Sequence, residues 1–88
     1  MPYSVIVSKS VQKQIVQLPA SVKLKVQEKI LALKLEPRPS GALKLKGYDH
    51  QYRLRVGDYR IRYEMFDEEL KIQVLQCKHR REVYRDKS

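Results

Sequence analysis

The chain has 88 residues, 42% of them hydrophobic, which makes one domain over residues 1–88 near the lower size at which a chain buries a self-sufficient core. Nineteen Lys and Arg against ten Asp and Glu leave a net charge of +9, which calls for an anionic partner: nucleic acid, an acidic protein segment or an anionic membrane. No apolar run reaches a spanning length and no signal peptide opens the sequence, so a membrane role is set aside. The single Cys77 and the two separated histidines, His50 and His79, exclude a disulfide framework and a cysteine zinc site, which favours the cytoplasm and a chemistry with no metal and no cofactor.

Residues 3–7 are rich in β-formers and predict a short first strand. Ser8 or Ser10 caps a helix in which Val11, Ile15 and Leu18 recur at helical spacing. Pro19 fits the first turn of a second helix, where its missing N–H is no loss. That helix runs to about Leu35, with Val22, Val26, Ile30 and Leu33 as its apolar stripe, widened by Leu31. Pro37, Pro39, Ser40 and Gly41 then form a loop. After it the period switches to two. Leu43 and Leu45 alternate with Lys44 and Lys46, residues 47–50 turn, and residues 52–56 are a strand. Gly57-Asp58 is a two-residue hairpin turn, and residues 59–65 are the return strand. Residues 67–69 turn again before a last strand over 70–77, apolar enough to be central, and a polar tail over 78–88. The order predicts an α+β two-layer sandwich: a helical hairpin on one face of a mostly antiparallel sheet, with only the tail or a short C-terminal helix left for the other face.

The Gly57-Asp58 turn implies a register. Val56 meets Tyr59, Arg55 meets Arg60, Leu54 meets Ile61 and Arg53 meets Arg62. Paired residues share a face, so Leu54, Val56, Tyr59 and Ile61 point to the helices. Arg53, Arg55, Arg60 and Arg62 then gather on the open side, with Glu64 the one acid near enough to pair with Arg62. Like charges opposite one another destabilise a sheet. Either the face binds a polyanion through guanidinium forks, or it is a solvated basic surface; the polyanion could be nucleic acid or an acidic peptide. The run Cys77-Lys78-His79-Arg80-Arg81-Glu82-Val83-Tyr84-Arg85 adds five basic residues, counting His79. Histidine is the residue type whose ordinary pKa lies nearest neutrality, which makes His79 a candidate for proton transfer, and Tyr84 offers a ring for stacking and a hydroxyl for proton donation. Both also fit a solvated tail anchored by Val83 and Tyr84.

The order β-α-α-β-β-β, the run Tyr52-Arg53-Leu54-Arg55-Val56-Gly57-Asp58-Tyr59-Arg60-Ile61-Arg62-Tyr63 and the ending Lys78-His79-Arg80-Arg81-Glu82-Val83-Tyr84-Arg85 resemble RelE-type toxins of the RelE/ParE toxin–antitoxin superfamily, over nearly the whole chain. The resemblance implies a metal-independent endoribonuclease that cuts messenger RNA in the ribosomal A site, using the RNA 2′-hydroxyl as nucleophile. It also implies a cognate antitoxin, with operator DNA bound only through that partner. It places Arg53, Arg55 and Arg60 on phosphate and Tyr84 as stacking or acid residue. His79, at or beside a further basic position, is the proton-transfer candidate, because Arg53 and Arg55 stand where related toxins often carry lysine and arginine keeps its proton. Arg62, Arg80 and Arg81 complete the expected RNA-binding set. The superfamily also implies an alternative, a ParE-like inhibitor of DNA gyrase without enzymatic activity. A nucleic-acid-binding module that cuts nothing is a further rival.

Overall fold

The computed structural model describes residues 2–81. A strand β1 (Ser4–Val7) leads into helices α1 (Lys9–Val16) and α2 (Ala20–Ala32), followed by strands β2 (Leu43–Lys44), β3 (Gln51–Val56), β4 (Tyr59–Phe66) and β5 (Lys71–His79). The strands form one sheet in the order β1-β5-β4-β3-β2, with β1 parallel to β5 and the other pairs antiparallel. This is the predicted α+β sandwich, with the helical hairpin on one face. Among the described residues no helix is long and apolar enough to cross a membrane.

Local chemistry accounts for the element ends. Ser8, not Ser10, is the N-cap of α1, its Oγ accepting the Val11 N–H at 3.4 Å. Pro19 is itself the N-cap of α2, one residue ahead of the expected first-turn position. The α-helix ends at Ala32 rather than near Leu35. There the turn tightens, the N–H groups of Leu33, Lys34 and Leu35 each bonding the carbonyl three residues back. Val11, Ile15, Val26, Ile30 and Leu33 are buried against Leu54, Val56, Ile61, Tyr63, Met65, Ile72, Val74 and Cys77. Leu31 does not widen this stripe: it is 60% exposed, because it stands about 100° round the helix from Ile30.

A β-bulge between β4 and β5 sets the phase of the last strand. Arg62 registers with Gln76, but Tyr63 registers with Val74, so β5 carries one extra residue, Leu75. Ile72 and Val74 face the core before the bulge, and Cys77 faces it afterwards. Strict alternation from Val74 would instead have turned Gln76 and Lys78 inward.

The end of the sandwich nearest the α2–β2 loop is closed by polar contacts between segments far apart in sequence. Tyr3 donates to Asp67 Oδ1 at 2.7 Å, and Arg38 donates to Asp67 Oδ2 at 2.8 Å and to the Tyr52 hydroxyl at 3.2 Å. The Tyr3 hydroxyl bond, then Arg38, hold the Asp67 carboxyl below its ordinary range. Tyr52 stacks on Tyr63, centroids 5.7 Å apart, and Tyr63 donates its hydroxyl to the Pro37 carbonyl at 2.8 Å.

Burial pushes the Tyr63 phenol from 10.0 up to about 12. Between those values the unfolded chain sheds a proton that the folded chain keeps, so this group's contribution to stability is intact below pH 10 and lost as pH rises towards 12. We expect Tyr63→Phe to cost about 1 kcal/mol at neutral pH through the lost hydrogen bond. It should also flatten the fall in stability over that alkaline window. Urea unfolding at neutral pH and across the window checks both; an unchanged alkaline slope would show that the phenol is not the responsible group.

Candidate nucleic-acid interface

Gly57 opens the β3–β4 turn with φ +59°, while Asp58 stays out of the positive-φ region, the pattern of a type II′ turn with glycine first. Two loop residues leave one register: Arg53 opposite Arg62, Leu54 opposite Ile61, Arg55 opposite Arg60 and Val56 opposite Tyr59. Leu54, Val56 and Ile61 are buried beneath the helices and Tyr59 is half-buried beside them. The four arginines therefore share the opposite face, which none of the described helices covers.

Strand β5 extends the cationic surface. Lys78 registers with Arg60, so Arg55, Arg60 and Lys78 form a row across three neighbouring strands, beside the pair Arg53–Arg62. At about 4.8 Å between strands and about 7 Å between alternate residues, five cations have their Cα atoms within about 10 Å by 7 Å. The ion pairs Arg38–Asp67 and Lys71–Glu69 involve none of the four arginines. Glu64 does not pair directly with Arg62. Gln51 stands between them, accepting from Arg62 Nε at 2.6 Å and donating to Glu64 at 3.3 Å. Arg55 Nε donates to the Gly57 carbonyl at 3.1 Å, folding its head towards the turn.

The face changes character along the strands. Beyond the arginines come Gln51, Glu64 and Gln73 in register, then Phe66 with the Lys71 ammonium 5.1 Å from its ring centroid. Tyr48, in the loop after β2, lies with its ring centroid 4.6 Å from the Arg62 guanidinium carbon. Among the described residues no three His, Cys, Asp or Glu side chains gather as a metal ion would need.

The structure brings Arg53, Arg55, Arg60 and Arg62 together, and it brings Arg80 close. The Arg80 N–H donates to the Asp58 carbonyl at 2.8 Å, pinning the chain after β5 to the hairpin turn, with Arg81 following. It does not bring His79 to Arg60. His79 registers with Tyr59 on the helix side, where the two rings meet edge-on with centroids 5.1 Å apart. His79 lines a cavity of about 200 Å3 with Gln14, Gln17, Leu18, Tyr59 and Cys77. Its Nδ1 accepts the Arg81 N–H at 3.2 Å, an arrangement of the neutral ring with the proton on Nε2. Tyr84 lies outside the described residues. Lys78, which the sequence placed in a tail, is the group that reaches the arginine row; the signal was present only in the phase of β5, which the bulge inverts.

A model of the family described as the ParE toxin of the type II toxin–antitoxin system parDE matches residues 5–84. A protein of Methanocaldococcus jannaschii named as a RelE1 toxin is 32% identical over 98% of this chain and 99% of its own length. The archaeal RelE–RelB complex of Pyrococcus horikoshii contains a chain with 33% identity and a TM-score of 0.81, over 91% of this chain and 97% of that one. The toxin–antitoxin complex RelBE2 of Mycobacterium tuberculosis contains one with 25% identity and a TM-score of 0.77, over 90% of this chain and 99% of that one.

Arg60 has like charges on both sides, Arg55 and Lys78. Replacing it with a neutral residue of similar length should relieve repulsion of about 0.2–1 kcal/mol. We expect Arg60→Gln to raise the melting temperature at low ionic strength, with the gain fading as salt screens the row. Calorimetry at two salt concentrations checks this; a destabilised or salt-indifferent variant would mean that the row carries no repulsion.

Proposed function

As the chain belongs to the ParE toxin family of type II toxin–antitoxin systems and is a RelE-type toxin, we propose that it acts in the cytoplasm as a metal-independent endoribonuclease, cutting messenger RNA in the ribosomal A site. The observation that supports this best is the gathering of Arg53, Arg55, Arg60 and Arg62 on one sheet face, with Lys78 in register beside Arg60. In the proposed reaction the RNA 2′-hydroxyl attacks the adjacent phosphorus, the bond to the 5′-oxygen breaks, and a 2′,3′-cyclic phosphate remains. A base takes the 2′-hydroxyl proton, an acid supplies one to the departing 5′-oxygen, and fixed positive charge balances the phosphorane between them.

Arginine suits the last role, because its planar fork matches phosphate oxygens and it keeps its proton. Arg53, Arg55, Arg60 and Arg62 hold and neutralise the phosphate in this scheme, and Arg80 and Arg81 lengthen the RNA track. For proton transfer, Lys78 faces the same side as Arg60, and a lysine, unlike an arginine, is able to exchange its proton. His79 faces away, so its part in this scheme is to orient the segment after β5 through the Arg81 N–H and the Tyr59 ring. Tyr84 keeps the stacking or acid role that the resemblance implies.

Solved relatives include toxin–antitoxin complexes, RelE–RelB of Pyrococcus horikoshii and RelBE2 of Mycobacterium tuberculosis. By analogy the partner of this chain is a cognate antitoxin whose acidic residues cover the cationic face, and operator DNA is contacted through that antitoxin. One observation favours a second reading. The matching family model is described for ParE, and a ParE-like protein of this fold would inhibit DNA gyrase by binding, using the same face without cleavage.

In a cell-free translation reaction, mapping of 5′ ends by primer extension should show cuts within codons only on translated messenger. Arg60→Ala should lower the cleavage rate about 100-fold or more, as the loss of a charge-stabilising group does. Lys78→Ala should lower it about 100- to 10,000-fold, while His79→Ala stays within about tenfold. The reverse order for Lys78 and His79 would return proton transfer to the histidine. Growth arrest with inhibited gyrase and intact messenger would decide for the second reading.

A further inference from the structure

In the reading proposed above the cationic face holds phosphates, but a phosphate site alone does not grip a base. The loop between β2 and β3 supplies what is missing. It is closed at its root by the Leu45 N–H on the Gln51 carbonyl at 2.9 Å, and the His50 carbonyl accepts the Met65 N–H at 2.9 Å, tying the loop to β4. Gly47 turns it with φ +83°. Between these anchors Tyr48 is 48% exposed. Phe66, another aromatic side chain towards this side of the sheet, already has Lys71 and the His50 ring against it.

Tyr48 does not stand alone. The Arg62 guanidinium carbon is 4.6 Å from its centroid, and Arg62 is itself held by Gln51 at 2.6 Å. One side of the ring is thereby set against a cation that belongs to the arginine group, while the residue keeps about half of its surface exposed. Lys44, Leu45, Lys46, Gly47, Tyr48 and Asp49 line a shallow cavity of about 400 Å3 beside it. The Arg55–Arg60 pair lies two residues further along the strands, about 7 Å from Arg53–Arg62 and within the span of one extended nucleotide. Single-stranded nucleic acid is held by this combination, a cationic track for the backbone and an exposed ring for the bases.

We propose that Tyr48, backed by Arg62, is a stacking platform for one unpaired nucleobase of an RNA strand whose phosphates lie on the arginine face, next to the phosphate held by Arg55 and Arg60. This rests on the reading of the face as an RNA site, but not on cleavage. An acidic peptide would use the arginines and have no need of the ring.

The test uses the full chain and a short single-stranded RNA, 2′-O-methylated throughout so that it cannot be cut, with an abasic residue moved through it position by position. Tyr48→Ala should weaken binding of the intact RNA about 5- to 100-fold, the scale of losing one base stack. Tyr48→Phe, which keeps the ring, should restore it. One abasic position should reproduce the loss in the unaltered protein, and at that position Tyr48→Ala should cost nothing more. Four results overturn the proposal: no binding of the RNA by the unaltered chain; no effect of Tyr48→Ala; an effect equal at every abasic position, which would make Tyr48 only a support for Arg62; or an equal loss of affinity for a polyglutamate peptide. Cleavage in the translation assay without a Tyr48 effect here removes the platform and leaves the nuclease. A base-dependent Tyr48 effect without cleavage removes the nuclease and leaves the platform.

Discussion

Gly57 holds φ at +59°, and the two-residue turn this allows decides which side chains meet across β3 and β4. A slip of one residue would send Leu54, Val56 and Ile61 to solvent and the arginines into the core. Burying each of those apolar side chains is worth about 1.5–3 kcal/mol, whereas a like-charge cross-strand pair costs about 0.2–1 kcal/mol. Burial wins by a wide margin, so the arginines are driven together by the same register that builds the core. The cationic face is the reverse side of the hydrophobic one, and neither can be altered in phase without the other.

This is also why so much of that hairpin was legible in the sequence. Strict alternation and a glycine-first turn are local signals, and together they name the four arginines and their partners. The last strand was not legible in the same way. Its extra residue, Leu75, sits in an apolar run where nothing distinguishes it from Val74 or Ile72. A bulge depends on the partner strand, which periodicity within one segment does not describe. Over Cys77, Lys78 and His79 the orientations are therefore inverted, so His79 lies on the helix side while Lys78 lies among the arginines.

Other features escaped because they join residues distant in the chain. Tyr3 and Asp67, or Arg38 and Asp67, meet only once the sheet order is known. Glu64 was expected to neutralise Arg62 directly. Gln51 takes the intermediate place, since it is the direct cross-strand partner of Glu64 and two residues along β3 from Arg53, the partner of Arg62. Tyr48 was recognisable only as a turn residue, because its ring meets Arg62 through the path of the loop and not through any pattern along it. Residue types and spacing reveal which face is charged; the path of the chain reveals what stands beside each charge.

The arginine face, which no described helix covers, has a thermodynamic side as well. A polyanion that settles there relieves the cross-strand repulsion and binds the folded chain in preference to the unfolded one, so by mass action it holds the fold together. The population of intact molecules then depends on what anionic company they keep. A molecule stripped of its partner unfolds more often and meets proteases more often, which gives the basic face a bearing on the protein's lifetime as well as on what it binds.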